Sequence, residues 1–529
     1  MTTAADYQAL THRYLSGEIT PEEMDALNVR LRTDAEARLW FLKMTNLQAG
    51  LESLAIEWEQ QSSAFNLVNE AIPRIDSGID ASCNGSEHPA ASSIVPGTTK
   101  PIARRSFPPA RNLAVWITAL AVSLMVVAVG VRWSLEPPAA FAVIHHTAGA
   151  DELQTGTSLR GETRRIAAGS VELITGLGAR VVIEAPAEFR FENRQKLHLT
   201  HGRLAAEVPP AAQGFTVVTP GGDVIDLGTK FGVDVPREGD SEVHVFEGEV
   251  IAQATSSTTR QGLRDGEAYR MQTGTGATHN FRSAAFIHPL EFTSLRAALE
   301  VGRRAVSDSA AAKLREDPAL IAMWDFEFEE QDRPPGNFRM VQGRWPGSRA
   351  AEFTRVGDHL KLDVGGDRPW PQLTMTAWVR LDQLGEPYQS LFHTDGWREE
   401  NQGQVHWMVN KYQTMRLALY GNTLAAEALE PDGFPDSRTS VLPEQGRWIH
   451  LATTYDAEAK TVRFYLNGEF DSETRQNVAH LAKLGAARIG NWDRRDRKLS
   501  GRVDELAILS RCLTDAEVRE LYDAGNPYR

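Results

Sequence analysis

Cysteine is almost missing from this chain. Two residues, Cys83 and Cys512, occur in 529, too few for a disulfide scaffold or a zinc site built from thiolates. Basic charge is also in deficit: 56 Lys and Arg face 70 Asp and Glu, a formal net charge of −14. A surface for nucleic-acid phosphates needs clustered cations, so nucleic acid is excluded as the main partner. Wholesale disorder is excluded by a composition of 42% hydrophobic and 24% charged residues, that of ordinary globular protein. At ~150 residues per domain, the length allows three or four folding units.

Long hydrophobic runs are scarce, with one exception. Residues 112–131, NLAVWITALAVSLMVVAVGV, carry no charge. At 1.5 Å rise per residue this is about 30 Å of helix, the thickness of a hydrocarbon core. A buried core helix of that length would carry a polar stripe, and none is present. Over a hundred residues precede the run, which sets it apart from a cleavable signal peptide. Lys100, Arg104, Arg105 and Arg111 lie before it, whereas Arg132 is the one cation between it and Arg160. The positive-inside rule then places residues 1–111 in the cytoplasm and 132–529 outside it, in a cell inner membrane crossed once. Cys83 and Cys512 fall on opposite sides and cannot pair within one chain.

Residues 1–70 read as a small helical segment. Thr20-Pro21-Glu22-Glu23 is a capping box with proline at the first helical position, followed by Met24, Leu27 and Leu31 at helical spacing. Thr33 to Glu36 repeats the box ahead of Leu39, Trp40 and Leu42. About fifty residues in short helices make a marginal core, so this segment is either a self-sufficient bundle or one that lends apolar surface to a partner. Residues 71–111, rich in Gly, Ser, Pro and Thr without periodicity, read as a flexible linker. The run YLSGEITPEEMDALNVRLRTDAEAR resembles the cytoplasmic segment of FecR-type transmembrane regulators. The resemblance implies that it binds an extracytoplasmic-function sigma factor, with Leu27, Leu31, Leu39 and Trp40 as the partner-binding residues.

From 139 to 282 the pattern changes to short β runs between Gly, Pro and Asn turns, the mark of a compact sandwich or roll. His145 and His146 are adjacent, and His198 and His201 lie three apart. Each pair reads as solvated surface, since no third ligand is spaced to join it. The run GFTVVTPGGDVIDLGTKFGVDV, residues 214–235, is similar to the signature of the FecR domain at Thr219, Pro220, Gly222, Gly228, Thr229, Phe231 and Val233. Val245, Glu247, Gly248 and Val250 fit the strand that follows in that family. Some family members resemble self-cleaving proteins at a Gly-Thr bond, where the Thr hydroxyl attacks the preceding carbonyl. At Gly228-Thr229 the competing and preferred reading is a tight turn.

Residues 283–316, rich in Ala and Arg, read as a helical linker, and 317–529 as a second β domain. Trp324, Phe326 and Phe328 alternate with carboxylates. TMTAWVRL and RWIHLATTYD read as buried strands, Asn467-Gly468 as a type I′ hairpin turn, and Thr514 to Glu517 as another capping box. The succession AMWDFE, AAEFTRVGDHLKL, MTAWVRL, GRWIHLATTYD, VRFYLNGE, ARIGNW and GRVDELAILSRCLTDAEVRELYDAG resembles the LamG-like, concanavalin A-type jelly roll. That resemblance implies an antiparallel sandwich that binds glycan or protein. Trp324, Trp378 and Trp448 read as core, and Trp397, Trp407 and Trp492, nearer loops, as ligand-stacking candidates. Glu327 and Glu329 have the spacing of two carboxylates on one strand face but lie in the first strand and do not reproduce the E-x-D-x-x-E pattern of concanavalin-type glucanases, and Asp504 and Glu505 are adjacent and so face opposite ways. Asp493 and Asp496 offer carboxylates for a calcium ion or simply a solvated loop.

The fold expected is therefore multidomain and mainly β: a helical segment, one transmembrane helix, a FecR-like domain and a jelly roll. The leading functional reading is a membrane signal transducer that antagonises a sigma factor and senses a glycan or envelope protein outside. It is not expected to be an enzyme or to need a cofactor or metal. The alternative is an anchored envelope adhesin or glycan binder with no sigma-factor partner.

Overall fold

The computed structural model describes residues 5–15, 20–33, 41, 44, 140–328, 332–426 and 432–529. The apolar run 112–131, the linker 71–111, Leu39, Trp40 and Glu329 lie outside the described residues. Among the described residues no helix is long and apolar enough to cross a membrane. What is described is mainly β, in more than one domain, with few helices.

Helices Ala5–Leu15 and Pro21–Thr33 open the chain. The Thr20 box closes as its residues dictate: Glu23 N donates to Thr20 Oγ1 at 3.3 Å, and Thr20 N to Glu23 Oε2 at 3.1 Å. Leu27 and Leu31 are buried together with Phe41, and Leu10 packs against them.

Between Ala142 and His279, fourteen strands form one hydrogen-bonded sheet. Two long neighbours, Arg180–Asn193 and Lys196–Glu207, set its middle. Phe189 lies opposite Leu199 and Phe191 opposite Leu197, a run of apolar cross-strand pairs on the buried face. The register slips between Glu184 and Glu188, which bends both strands and lets their halves serve different partners. Lys196 to His198 pair in parallel with Thr216 to Val218, whereas Gly202 to Glu207 pair with Lys230–Val235. The sheet thereby folds over one core that includes Phe189, Phe191, Phe215 and Phe231.

The linker forms two helices, Pro289–Glu300 and Arg303–Arg315, rather than one. Gly302 breaks them at φ +77°, a backbone setting that side chains with a Cβ avoid.

The remaining strands make a two-sheet sandwich. A nine-stranded sheet runs in the order Arg339–Gln342, Arg349–Phe353, Gly501–Leu509, Gln372–Leu381, Trp448–Asp456, Thr461–Leu466, Glu469–Val478, Thr423–Leu424, with Leu320–Trp324 also on Gly501–Leu509. A six-stranded sheet runs Gly336–Asn337, His359–Trp370, Ala482–Ile489, Tyr388–Thr394, Val405–Asn410, Met415–Leu419. The core between them holds Phe353, Trp370, Phe392, Trp407, Leu451, Tyr455 and Phe464. Asn467 and Gly468 turn the expected hairpin at φ +50° and +78°, and Thr514 caps helix Asp515–Gly525 through a complete box. Strand Leu320–Trp324 ends before Phe326, which turns left-handed at φ +59°; Phe326 is nonetheless buried in the core, and Trp324 and Phe328 pack against the same core. Trp378 and Trp448 are buried on the outer side of the nine-stranded sheet, against Tyr522 and Tyr528.

That outer side also meets the fourteen-stranded domain, through buried charge. Arg203 donates to Asp234 Oδ2 at 2.6 Å and to Glu352 Oε1 at 2.9 Å. Arg339 reaches Asp234 Oδ1 at 2.8 Å, and Arg502 reaches Glu184 Oε2 at 3.2 Å. Arg282 bridges Glu242 at 2.8 Å and Asp382 at 3.2 Å. Guanidiniums from both domains grip the segment that joins them: Arg203 and Arg502 on the carbonyl of Ala285, Arg380 on those of Ala284 and Phe286. Burial alone would raise the Asp234 carboxyl, but the Arg203, Arg339 and Arg282 guanidiniums overcome it and hold the group well below the usual carboxylate range.

Candidate functional site

The six-stranded sheet has a strand pair whose outer face is aromatic. His393 on Tyr388–Thr394 lies opposite His406 on Val405–Asn410, and the two rings stack at 4.0 Å and 28°. Trp397, in the segment between these strands, continues the stack on His406 at 3.9 Å and 26°. Tyr420 meets Trp397 edge-on at 5.2 Å, and Trp492 meets His406 edge-on at 5.1 Å. Arg497 places its guanidinium 4.3 Å from the Trp492 ring centroid and 4.4 Å from that of Tyr388, within cation–π range.

The stack is electrically neutral. Burial pushes His393 well below the ordinary imidazole range and His406 down to about 3, with Arg497 adding to the effect on both. These histidines therefore buttress Trp397 rather than titrate near neutral pH. Around them, Trp492 Nε1, Thr394 Oγ1 and Gln404 Oε1 have no hydrogen-bond partner within the protein. Asp395 accepts from Arg488 at 3.2 Å. Half-buried tryptophan faces beside polar groups, with exposed Arg398, Glu399, Glu400, Asp493 and Arg494 at the rim, are the chemistry that holds a polyhydroxylated ring: stacking on its apolar face, hydrogen bonds at its edge.

Trp397 and Trp492 thus come together, and Trp407 does not join them. Side chains alternate across a strand, so with His406 outward Trp407 faces the core, fully buried, its Nε1 donating to Thr453 Oγ1 at 3.0 Å. The parity of His406 and Trp407 was readable in the sequence; which of the two faced inward was not. The supporting histidines carried no motif.

The FecR-motif residues are placed in turns and core. Thr219 Oγ1 donates to Gly222 O at 2.8 Å and accepts from Gly222 N at 3.1 Å, closing the turn around Pro220. A Cβ on Gly222 would stand 2.2 Å from the Gln253 carbonyl oxygen, so that position admits glycine alone. At the second turn Gly228 N donates to Asp226 Oδ2 at 2.8 Å, and the Thr229 hydroxyl donates to Asp226 Oδ1. Phe231 is buried in the core. Gly228 and Thr229 lie in the short connection between strands Gly222–Asp226 and Lys230–Val235, with the Thr229 hydroxyl bonded to Asp226.

Other carboxylates are also tied up. Asp496 Oδ1 accepts from Gly357 N and Asn491 Nδ2 at 2.9 and 2.8 Å. Asp504 and Glu505 do not face opposite ways. The register shifts here and Glu505 sits at φ +48°, so both meet buried Arg344, Asp504 accepting its N–H at 3.1 Å and Glu505 lying 2.7 Å from its Nη2. Burial pushes Asp504 up to about 8. A cleft of about 1350 Å³ between the two β domains is lined by Glu242, Arg282, Arg339 and Lys498 among others. Arg282 pairs there with Glu242, and Arg339 with Asp234, so much of its charge already ties the two domains together.

No curated protein matches the chain. Among solved structures, a protein provisionally named an anti-sigma factor from Parabacteroides distasonis is 18% identical with a TM-score of 0.21, over 23% of this chain and 62% of its own. The chain thus spans less than two thirds of that protein. Domain 4 of an extracellular arabinanase from Geobacillus stearothermophilus, in complex with arabinotriose, is 19% identical with a TM-score of 0.29, over 38% of this chain and 98% of its own. A pentraxin from Limulus polyphemus is 18% identical with a TM-score of 0.24, over 31% and 75%. These likenesses are partial and distant. Two family models match parts of the chain: residues 167–251 match that of the FecR protein, and residues 355–519 that of the concanavalin A-like lectin/glucanases superfamily.

Proposed function

We propose that this chain is a single-pass inner-membrane regulator that holds an extracytoplasmic-function sigma factor through residues 1–70. In this reading residues 132–529 lie outside the cytoplasm, and the jelly roll binds a glycan, or an envelope protein bearing one, at the Trp397–Trp492 cluster. The activity is binding, not catalysis. The observation that carries the reading is the union of a FecR segment with a concanavalin A-like segment in one chain, joined through buried charge. A membrane helix transmits little by itself, so ligand binding must shift the state of the inner helices or expose the chain to proteolysis.

The test is affinity capture with the full chain in detergent, beside a chain lacking residues 1–70, with bound proteins identified by mass spectrometry. A sigma factor held by the first and lost by the second supports the regulator. None on either sinks it. A glycan array with the full chain and Trp397→Ala reads the outer half separately. Glycan binding without a sigma factor would identify an anchored glycan binder.

A further inference from the structure

Strand Ala142–Ala148 pairs antiparallel with Ser170–Thr175, but not in even register. Ile144 lies opposite Leu173 and His146 opposite Glu172, so His145 is an extra residue at a β-bulge. A regular strand sends consecutive side chains to opposite faces. A bulge sets two residues against one, and here it gathers what the sequence separates. The rings of His145 and His146 lie 4.1 Å apart, and His145 Nδ1 is 3.1 Å from Glu172 Oε2. One ligand-type atom from each of His145, His146 and Glu172 falls within 4.8 Å of the others, the one such trio among the described residues. The absence of a third ligand, inferred from spacing along the chain, is thereby corrected: Glu172 comes from the neighbouring strand.

The site is also oriented. Glu172 is wholly buried, and Arg180 Nε holds its Oε1. That outer contact fixes the carboxylate and leaves Oε2 toward the imidazoles. The His145 side chain is 46% exposed, which gives an ion a path from solvent. Two imidazoles and one carboxylate with an open side form a three-ligand set for Zn²⁺, water taking the fourth position, and imidazole nitrogens favour late first-row divalent ions over Ca²⁺ or Mg²⁺. We infer that His145, His146 and Glu172 form a binding site for a late first-row divalent cation, best matched by Zn²⁺. Arg180 acts there as a positioning residue.

Calorimetric titration of ZnCl₂ into the metal-stripped full chain in detergent tests this, with Co²⁺ absorption in the visible region as a second readout. One Zn²⁺ per chain is expected. His145→Ala and His146→Ala should each weaken binding at least tenfold, and Arg180→Ala about 10- to 100-fold. The Co²⁺ bands should vanish in His145→Ala. No Zn²⁺ uptake by the wild type, or uptake unchanged in His145→Ala, overturns the site. His145 is half exposed, so that variant keeps the fold even where His146→Ala loses it, and circular dichroism verifies this.

Discussion

Replacing Arg203 by Met removes a charge at the seam between the two β domains while keeping most of the side chain's bulk. The wild-type guanidinium is buried between Asp234 at 2.6 Å and Glu352 at 2.9 Å, with the Ala285 carbonyl at 3.1 Å. Removing one partner of a buried ion pair costs about 3–5 kcal/mol, because the other is left charged and dry. Asp234 keeps Arg339 at 2.8 Å and Arg282 at 3.6 Å, and Glu352 keeps Arg502 at 3.5 Å, so the lower end, ~3 kcal/mol, applies. Burial pushes both carboxyls upward, but neighbouring arginines outweigh it and leave both depressed in the folded chain. Groups depressed in this way lend stability above their unfolded pKa values of about 4 and withdraw it as pH falls below. The deficit of the Met variant is therefore full at neutral pH and shrinks on acidification through about pH 4. Scanning calorimetry should show the domains melting together in the wild type and separately in Arg203→Met. Adding Glu352→Gln should recover part of the loss by removing one stranded charge. A single unshifted transition in Arg203→Met would refute the account of the seam.

Other outcomes are equally definite. Trp397→Ala should abolish glycan retention on an array with an unchanged melting curve, whereas Trp407→Ala should cost about 3–5 kcal/mol of stability in a denaturation experiment; equal effects on stability would refute the division between platform and core. His393, His406 and His450 are held below the ordinary imidazole range by burial, His406 and His450 at about 3. The unfolded chain binds protons below about pH 6.5 while these groups do not, so stability should fall as pH drops from about 6.5 toward about 3, and His406→Gln should flatten that slope. Gly222→Ala, at φ +154° with the Gln253 carbonyl 2.2 Å from the new Cβ, should destabilise the FecR segment by about 1–3 kcal/mol in thermal melts. Thr514→Ala should cost about 1 kcal/mol through loss of the helix cap, and a change below a few tenths would show the box to be idle.

Local chemistry was legible in the sequence because its partners are neighbours. The boxes at Thr20 and Thr514 and the Asn467-Gly468 turn each rest on residues within four positions, and all form as their residues dictate. Contacts across long separations were not legible. Arg203 and Glu352 stand 149 positions apart, and in sequence each is one charge among many that read as solvated. Bulges hid the rest: one extra residue at His145 brings two imidazoles onto Glu172, and the shift at Asp504 turns adjacent carboxylates onto Arg344. Period-two reasoning assumes even register and fails wherever register slips.

The seam also constrains how a signal could travel through the two β domains. The aromatic cluster lies on the six-stranded sheet, while the jelly-roll strand residues bonded to the other β domain (Arg339, Gln342, Glu352 and Arg502) lie on the nine-stranded one. Between them stands a single packed core, which transmits displacement rather than absorbing it. The joining segment is held by guanidiniums from both sides at Ala284, Ala285 and Phe286, and Tyr528 adds a bond to Glu291 at 2.9 Å and another to Trp448 N at 2.9 Å. Opening a hinge there would break these contacts together and expose to water the apolar clusters that hold Ala205 with Phe286 and Val182 with Ile287. Buried pairs are also poorly screened by salt, so the joint should persist in high salt. In the proposed reading, a ligand on Trp397 is then felt by both β domains as one body. What it changes is that body's encounter with other molecules, such as a second copy or a protease, rather than the angle between its own domains.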